Sequence, residues 1–424
     1  MFFTGDEVGN KVFVIGAGIV GISCAISLQR DGHDVVLIDK VGPCAGASFG
    51  NAGAIVNGSA MPSASPGILF DALKMLGKKG PLSVHPQYIP RILPWLIRFF
   101  NQSRPSLFQQ NSKDLYAITQ HANSSWHDLL KGTSLDSLLN PVGWLKVYEK
   151  QQSFDSTVLP RRIMEELGVP FEILSPNQLQ ELEPSLATIF KYGLFQRDAK
   201  HISNPGRLVE GLADYFVANG GEIKITEVSA VKHIGSDTKN RIKLTTSHGE
   251  LYPDKLVVAA GAWSSQLTQQ LGLKVPLDTE RGYHLMLPKV SGLTRPVVNS
   301  ENSFVICPME TGLRVTSQVE LAGLNAKADF TTIRSLLPDV KRMLPDAKLE
   351  EESSWLGFRP SFPDSLPIID KSKHQGVYYA FGHQHLGMTM GPMTGQIIAD
   401  LVAKRDPKID ISPYRADRFK AFLR

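Results

Sequence analysis

The sequence predicts an α/β plus α+β protein, with one domain on a parallel sheet and a second on a large antiparallel sheet. Three observations carry this reading. A strand–glycine turn–helix–strand unit opens the chain at 12–39. A second strand, glycine turn and helix start recur at 255–264. From 281 to 319, strand-like runs follow one another without helices between them, the mark of antiparallel pairing. A length of 424 residues also exceeds what one core usually serves.

In order, an apolar run at 12–15 reads as a buried strand, and 19–31 has helical spacing (Ile22, Ala25, Ile26, Leu28) ended by Gly32. The run 35–38 is the next strand and ends at Asp39. Residues 42–58, rich in Gly, Ala and Ser, read as a loop or a helix start packed close to something. The stretch 111–131 is amphipathic and helical. Further strands are expected at 143–149, 192–196, 222–228, 241–247, 255–260, 283–287, 303–307 and 313–319. Helices are expected at 205–219, capped by Ser203 or Asn204, and at 392–404.

Composition excludes several classes. Hydrophobic residues at 42% and charged residues at 20% are ordinary globular values, and a net charge of +4 offers no nucleic-acid footprint. Cys24, Cys44 and Cys307 lack metal-ligand spacing, and an odd, sparse set fits a reducing cytoplasm. The opening MFFTGDEVGNK has no apolar signal region, and no run is long enough to span a bilayer. The expected localisation is cytoplasmic, with any membrane contact peripheral on the inner face.

Gly16-Ala17-Gly18-Ile19-Val20-Gly21 fits G-x-G-x-x-G, a weak signal alone. Here it follows a strand, opens a helix, and precedes an acidic residue, Asp39, at the end of the next strand. Gly16 permits the tight turn, Gly18 admits a pyrophosphate to the backbone, and Gly21 allows close helix–strand packing. The helix start offers free N–H groups to phosphate. Asp39 accepts ribose hydroxyls and repels a 2′-phosphate, which argues against NADP. Small residues at 47–54, with Ser48 and Asn51 as polar contacts, and glycine turns at 256–264 and 382–391 spread the contacts along the chain. That spread suits a long flavin dinucleotide, FAD, rather than NAD.

These segments also carry a resemblance. VFVIGAGIVGISCAISLQRDGHDVVLID, ASFGNAGAI, NPGRLVEGL, LVVAAGAWS, GFRPSFPDSLPIID and GHQHLGMTMGPMTGQIIADL resemble the FAD-dependent D-amino-acid oxidase superfamily. The branch most resembled is that of bacterial D-amino-acid dehydrogenases of the small-subunit type and D-hydroxyproline dehydrogenases. The resemblance implies a discontinuous Rossmann-type FAD-binding domain (1–85, 198–275, 352–424). It implies a substrate domain at 86–197 and 276–351. It further implies non-covalent FAD contacts at Gly16, Gly18, Gly21, Asp39, Lys40, Ser48, Asn51, Ala52, Val228, Ala260, Gly261, Trp263, Gly387, Met388 and Thr389. Val228 also reads as an ordinary buried strand valine.

Oxidation at an amine carbon asks the protein mainly to orient substrate against the flavin. A substrate carboxylate needs an anchor, and Arg359 in Gly357-Phe358-Arg359-Pro360 is the candidate, through two parallel hydrogen bonds. Its structural alternative is a salt bridge with Asp364 or Asp370. Tyr283 and His284 point to opposite strand faces, and Tyr283 is expected to line the pocket. Arg281 is either a second anion contact or a solvated strand-end charge. His383 and His385, two apart with no third ligand, make poor zinc geometry, so no metal is expected. His385 is expected to pack on the flavin loop and, if protonated, to add to a helix N-terminus in stabilising reduced flavin.

The apolar segment 89–100, with Trp95, Arg91 and Arg98, reads as a core helix or as a peripheral membrane dock beside a quinone. The expected activity is dehydrogenation of a small D-amino acid, D-proline or D-hydroxyproline, with electrons passed to a quinone or other non-oxygen acceptor. Two alternatives are a glycine- or sarcosine-type oxidase using oxygen, and a non-catalytic flavin-binding subunit of a larger complex with partner subunits.

Overall fold

The computed structural model describes residues 11–68, 82–234 and 242–422. The strand Lys11–Ile15 runs into the helix Ile19–Arg30 and the strand Asp34–Asp39. These belong to a six-stranded sheet ordered Glu222–Ile225, Asp34–Asp39, Lys11–Ile15, Lys255–Val258, Val377–Phe381, Ile368–Lys371. All neighbours are parallel except the last pair. Its central strands are apolar on both faces because helices cover one side and a small three-stranded sheet, Val228–His233 with Ile242–Thr246 and Gly249–Leu251, lies beside the other. The expected single strand at 222–228 is two: Thr226 donates its N–H to the Asp39 carbonyl at 2.8 Å, and the chain leaves the sheet there.

The second sheet has nine strands. Asp278–Leu287 lies between Ser353–Ser361 and Gly312–Leu321, followed by Phe304–Met309, Val297–Asn299, Trp144–Tyr148, Tyr192–Gln196 and Glu172–Leu174. Most pairs are antiparallel, as the helix-free stretch predicted. Two stretches fall outside the expected domain division. Ser353–Ser361, assigned to the FAD block 352–424, pairs along its whole length with Asp278–Leu287 in this sheet. Leu82–Val84, assigned to block 1–85, pairs with Val319–Leu321.

The helix Pro205–Ala218 starts at Asn204, whose side chain accepts the Arg207 N–H at 3.0 Å. The closing helix, Gly387–Val402, begins five residues before the expected 392. Its glycines let it lie against the first helix: a Cβ on Gly395 would stand 2.5 Å from the Ser23 carbonyl oxygen. Pro392, inside this helix, donates no N–H to Met388, and the Met388 carbonyl instead accepts Trp126 Nε1 at 2.7 Å. The three cysteines are free and buried.

Candidate active site

Two cavities meet along one groove, sharing Ala47, Asn51 and Gln384. The first, of about 240 Å³, runs along the carboxyl ends of the parallel strands. Gly16, Gly18, Ile19, Val20, Asp39, Lys40, Ser48, Asn51, Val228, Ala260, Gly261, Trp263, Gly387 and Met388 line it. Gly16 has φ +107°, and a Cβ there would meet the Ala259 carbonyl oxygen at 2.4 Å. Gly21 does not touch the cavity; a Cβ on it would strike the Gly16 carbonyl oxygen, so this glycine lets the helix lie on the strand. Ala17 is buried too, its N–H held by Asp39 at 2.9 Å.

No side chain caps the first helix at its own Gly18, and the Ser48 hydroxyl accepts the Ile19 N–H at 3.0 Å from across the groove. The Asp39 carboxylate takes the N–H groups of Ala17, Val41 and Gly42, which fixes it at the groove's edge. Lys40 lies 4.6 Å over the Trp263 ring. The uncapped start of the closing helix stands at the joint of the cavities: Gly387 and Met388 face the first, Leu386 and Thr389 the second. A long groove, an approachable backbone and two helix N-termini at its wall fit a dinucleotide with an extended ring system. The lining of this groove would hold FAD, which supplies a two-electron acceptor.

The second cavity, about 620 Å³, is walled by the nine-stranded sheet. Two cross-strand rows face the cavity, Glu280 opposite Arg359 and Gly282 opposite Gly357; in the next row Trp355 lines it, while His284 opposite stacks on the Trp355 ring. The glycines make a floor. A Cβ on Gly282 would meet the Arg359 guanidinium at 2.2 Å, and one on Gly357 would meet the Trp355 ring at 2.0 Å. Arg359 and Trp355 therefore lie flat over the glycines. Arg359 Nη1 donates to the Gln318 carbonyl at 2.9 Å. Gln318 occupies an irregularity opposite Gly282 with φ +76°, and its buried side-chain oxygen has no partner. The salt bridges set against the anion-binding reading of Arg359 are not made: Asp364 pairs with Arg418 at 2.8 Å, and Asp370 takes the Ala416 and Lys371 N–H groups.

Tyr283 does not line the cavity. Its hydroxyl donates to Glu320 at 2.5 Å, and its ring packs on Phe330 in the core behind the sheet. Alternation decides this: the strand turns its even-numbered Glu280 and Gly282 to the cavity and its odd positions to the core. Arg281 is neither solvated nor an anion site; it is buried, 3.2 Å from Glu320, and donates to the Ala326 and Lys327 carbonyls. His385 is ringed by protein yet open to the cavity, and burial with the nearby Arg359 and Lys146 charges pushes its pKa down to about 4. It is neutral at pH 7 and adds no positive charge. His383 is buried, its Nε2 2.9 Å from the Thr394 hydroxyl. No metal-binding cluster occurs among the described residues.

Sequence reasoning missed Glu280, Lys146, Trp355 and Gln318 in the cavity wall. Strand alternation from Gly282 would have found Glu280. Nothing local marks Lys146, an ammonium whose pKa burial lowers.

The helix Ile89–Gln102 packs one face inward, as the core-helix reading expects. Ile92 and Trp95 are buried against Leu321, and Trp95, Leu96, Phe99 and Phe100 wall the second cavity. Its other face leaves Ile89, Leu93 and Ile97 at 46%, 49% and 62% exposed. No helix among the described residues is long and apolar enough to cross a membrane.

A dinucleotide groove opening onto a second, substrate-sized cavity defines a flavin-type oxidoreductase. The family model for FAD dependent oxidoreductases (DAO) matches residues 11–401, and the chain belongs to that family. It is 31% identical to a D-amino-acid oxidase of Bradyrhizobium diazoefficiens over 97% of this chain and 99% of that protein. A D-amino acid dehydrogenase of the same organism is 28% identical over 96% and 99%. Among solved structures, glycine oxidase from Geobacillus kaustophilus matches with a TM-score of 0.74 at 22% identity, covering 96% of this chain and 98% of that one. L-proline dehydrogenase from P. horikoshii matches at 0.73 and 16%, covering 97% and 98%. These two likenesses concern the fold.

Proposed function

We propose that this FAD-dependent enzyme oxidises a small D-amino acid, D-proline or D-hydroxyproline at the carbon bearing its amine. Bound FAD would supply the acceptor, at flavin N5, for a hydride from the α-carbon, and the electrons would pass on to a quinone or another non-oxygen acceptor. The observation that carries the reading is Arg359, a guanidinium that lines the second cavity and spends one donor on a backbone carbonyl. Its remaining fork matches a substrate carboxylate. Relatives named for D-amino acids support the substrate class.

The second reading, an oxidase that reduces oxygen, is favoured by the relative named D-amino-acid oxidase. Anaerobic bleaching of the bound flavin by a panel of D- and L-amino acids, cyclic ones included, tests the activity. Reduction by at least one small D-amino or cyclic imino acid is expected, and bleaching by the isolated chain excludes a non-catalytic subunit. In air, turnover without stoichiometric peroxide is expected; equimolar peroxide would establish the oxidase instead. The exposed Ile89, Leu93 and Ile97 support a peripheral membrane contact beside the acceptor.

A further inference from the structure

We infer that Glu280 is a second substrate-contacting residue: with Arg359 it holds an α-amino acid as its zwitterion, and its carboxylate takes the proton that the ammonium must lose before oxidation. This rests on the function proposed above.

Glu280 and Arg359 are directly opposite across neighbouring strands, on one face, and both line the second cavity. Unlike charges so placed ordinarily close on each other, yet these two form no ion pair. Arg359 turns over Gly282 to the Gln318 carbonyl, and Glu280 has the Ser361 side chain as a hydrogen-bonding neighbour. A carboxylate has about four acceptor sites, so Glu280, buried and facing the cavity, keeps acceptor capacity for a ligand's N–H groups. An amino acid carries the complementary pair, a carboxylate and an ammonium on one carbon. Seated on this wall, it satisfies both residues and presents its α-C–H outward from the sheet.

The other ionisable groups around the pair leave Glu280 as the cavity's base. Asp278, on the same strand, is held by the Tyr88 hydroxyl at 2.9 Å. Glu320, on the adjoining strand, pairs with Arg281 and Tyr283. His385 and Lys146 lie farther round the wall, where burial first, and then the Arg359 and Lys146 charges, lower the imidazole's pKa. Burial raises the Glu280 pKa above the ordinary carboxylate value, while Arg359 and Ser361 oppose the rise.

The step balances. An ammonium N–H bond breaks and its proton goes to a Glu280 oxygen, leaving the electron pair on nitrogen. That pair forms the C=N bond as the α-C–H leaves as hydride. The substrate is oxidised by two electrons and the family's flavin is reduced by two. Glu280 returns its proton to solvent when product leaves.

The test compares the FAD-loaded wild type with Glu280→Gln and Glu280→Asp, using D-alanine and propanoate, which has the carboxylate but no amine. Ligand binding is read from the flavin spectrum, and anaerobic bleaching rates are followed against pH. In Glu280→Gln, D-alanine is expected to bind at least tenfold more weakly while propanoate binds as tightly or more tightly. The bleaching profile should move to alkaline pH, toward the free amine's own titration, and Glu280→Asp should restore part of it. If Glu280 only offsets the Arg359 charge, both ligands will shift together and the pH profile will stay put, which overturns the inference. A wild type that no amino acid bleaches overturns the proposed function itself, and this role with it.

Discussion

Arg359 shows how one side chain becomes a site. Its charge is desolvated, lowering its pKa, and Glu280 nearby opposes that shift. Removing it leaves the substrate carboxylate without charge-assisted bonds worth about 2 kcal/mol or more. Arg359→Ala is therefore expected to raise KM by about thirtyfold or more, with FAD retained; an unchanged KM would remove Arg359 from its role. A second residue-scale consequence concerns pH. Burial depresses His383 to a pKa of about 3, and His201 and His284 to about 4 and about 3, with Arg314 adding to the last two shifts. An unfolded histidine titrates near 6.5. Below that pH the unfolded chain binds protons that the native state refuses, so stability falls as pH drops from about 6.5 toward the folded values, by up to about 1.4 kcal/mol per pH unit for each group. Urea unfolding at pH 7 and pH 5 is expected to show a smaller loss in His383→Gln than in the wild type. An equal loss would refute the assignment.

At the scale of elements, the site depends on how closely backbones approach. The glycine row under Arg359 is one such place. Gly282→Ala would push the guanidinium aside, a flexible group that can move, so the fold should survive. The expected outcome is a melting temperature close to wild type with KM raised about tenfold, since a misplaced anchor costs productive geometry. The closing helix is another. Pro392 leaves the Met388 carbonyl without a helical donor, and Trp126 supplies one. Trp126→Phe keeps the ring and orphans that carbonyl, so a loss of about 1–3 kcal/mol is expected in denaturant unfolding. Because Met388 lines the cofactor groove, weaker FAD retention should accompany it.

Over the whole molecule, the parallel sheet and the nine-stranded sheet each supply one cavity, and the groove joins them at Ala47, Asn51 and Gln384. The helix Ile89–Gln102 closes the second cavity with one face and turns Ile89, Leu93 and Ile97 outward. An apolar stripe beside Arg91 and Arg98 suits an anionic membrane surface. Co-sedimentation with phosphatidylglycerol-containing vesicles is expected, and Leu93→Asp with Ile97→Asp should abolish it without changing anaerobic flavin bleaching. Equal sedimentation of both proteins would rule out this face.

The sequence alone determined the dinucleotide half, because its chemistry is local. A glycine turn, a helix start and an acidic strand end are consecutive, and spacing reads directly as geometry from Gly16 to Asp39. The antiparallel second sheet was legible for the same reason, as strands that succeed one another without helices. Only the tertiary structure decided the substrate wall. Its rows pair residues about 70 to 80 positions apart, and strand register, which no local signal fixes, turned Tyr283 to the core and Glu280 to the cavity. The long pairing of Ser353–Ser361 with Asp278–Leu287 likewise overrode the expected domain division. Lys146 and Gln318 became part of the site only because distant strands were hydrogen-bonded into one sheet.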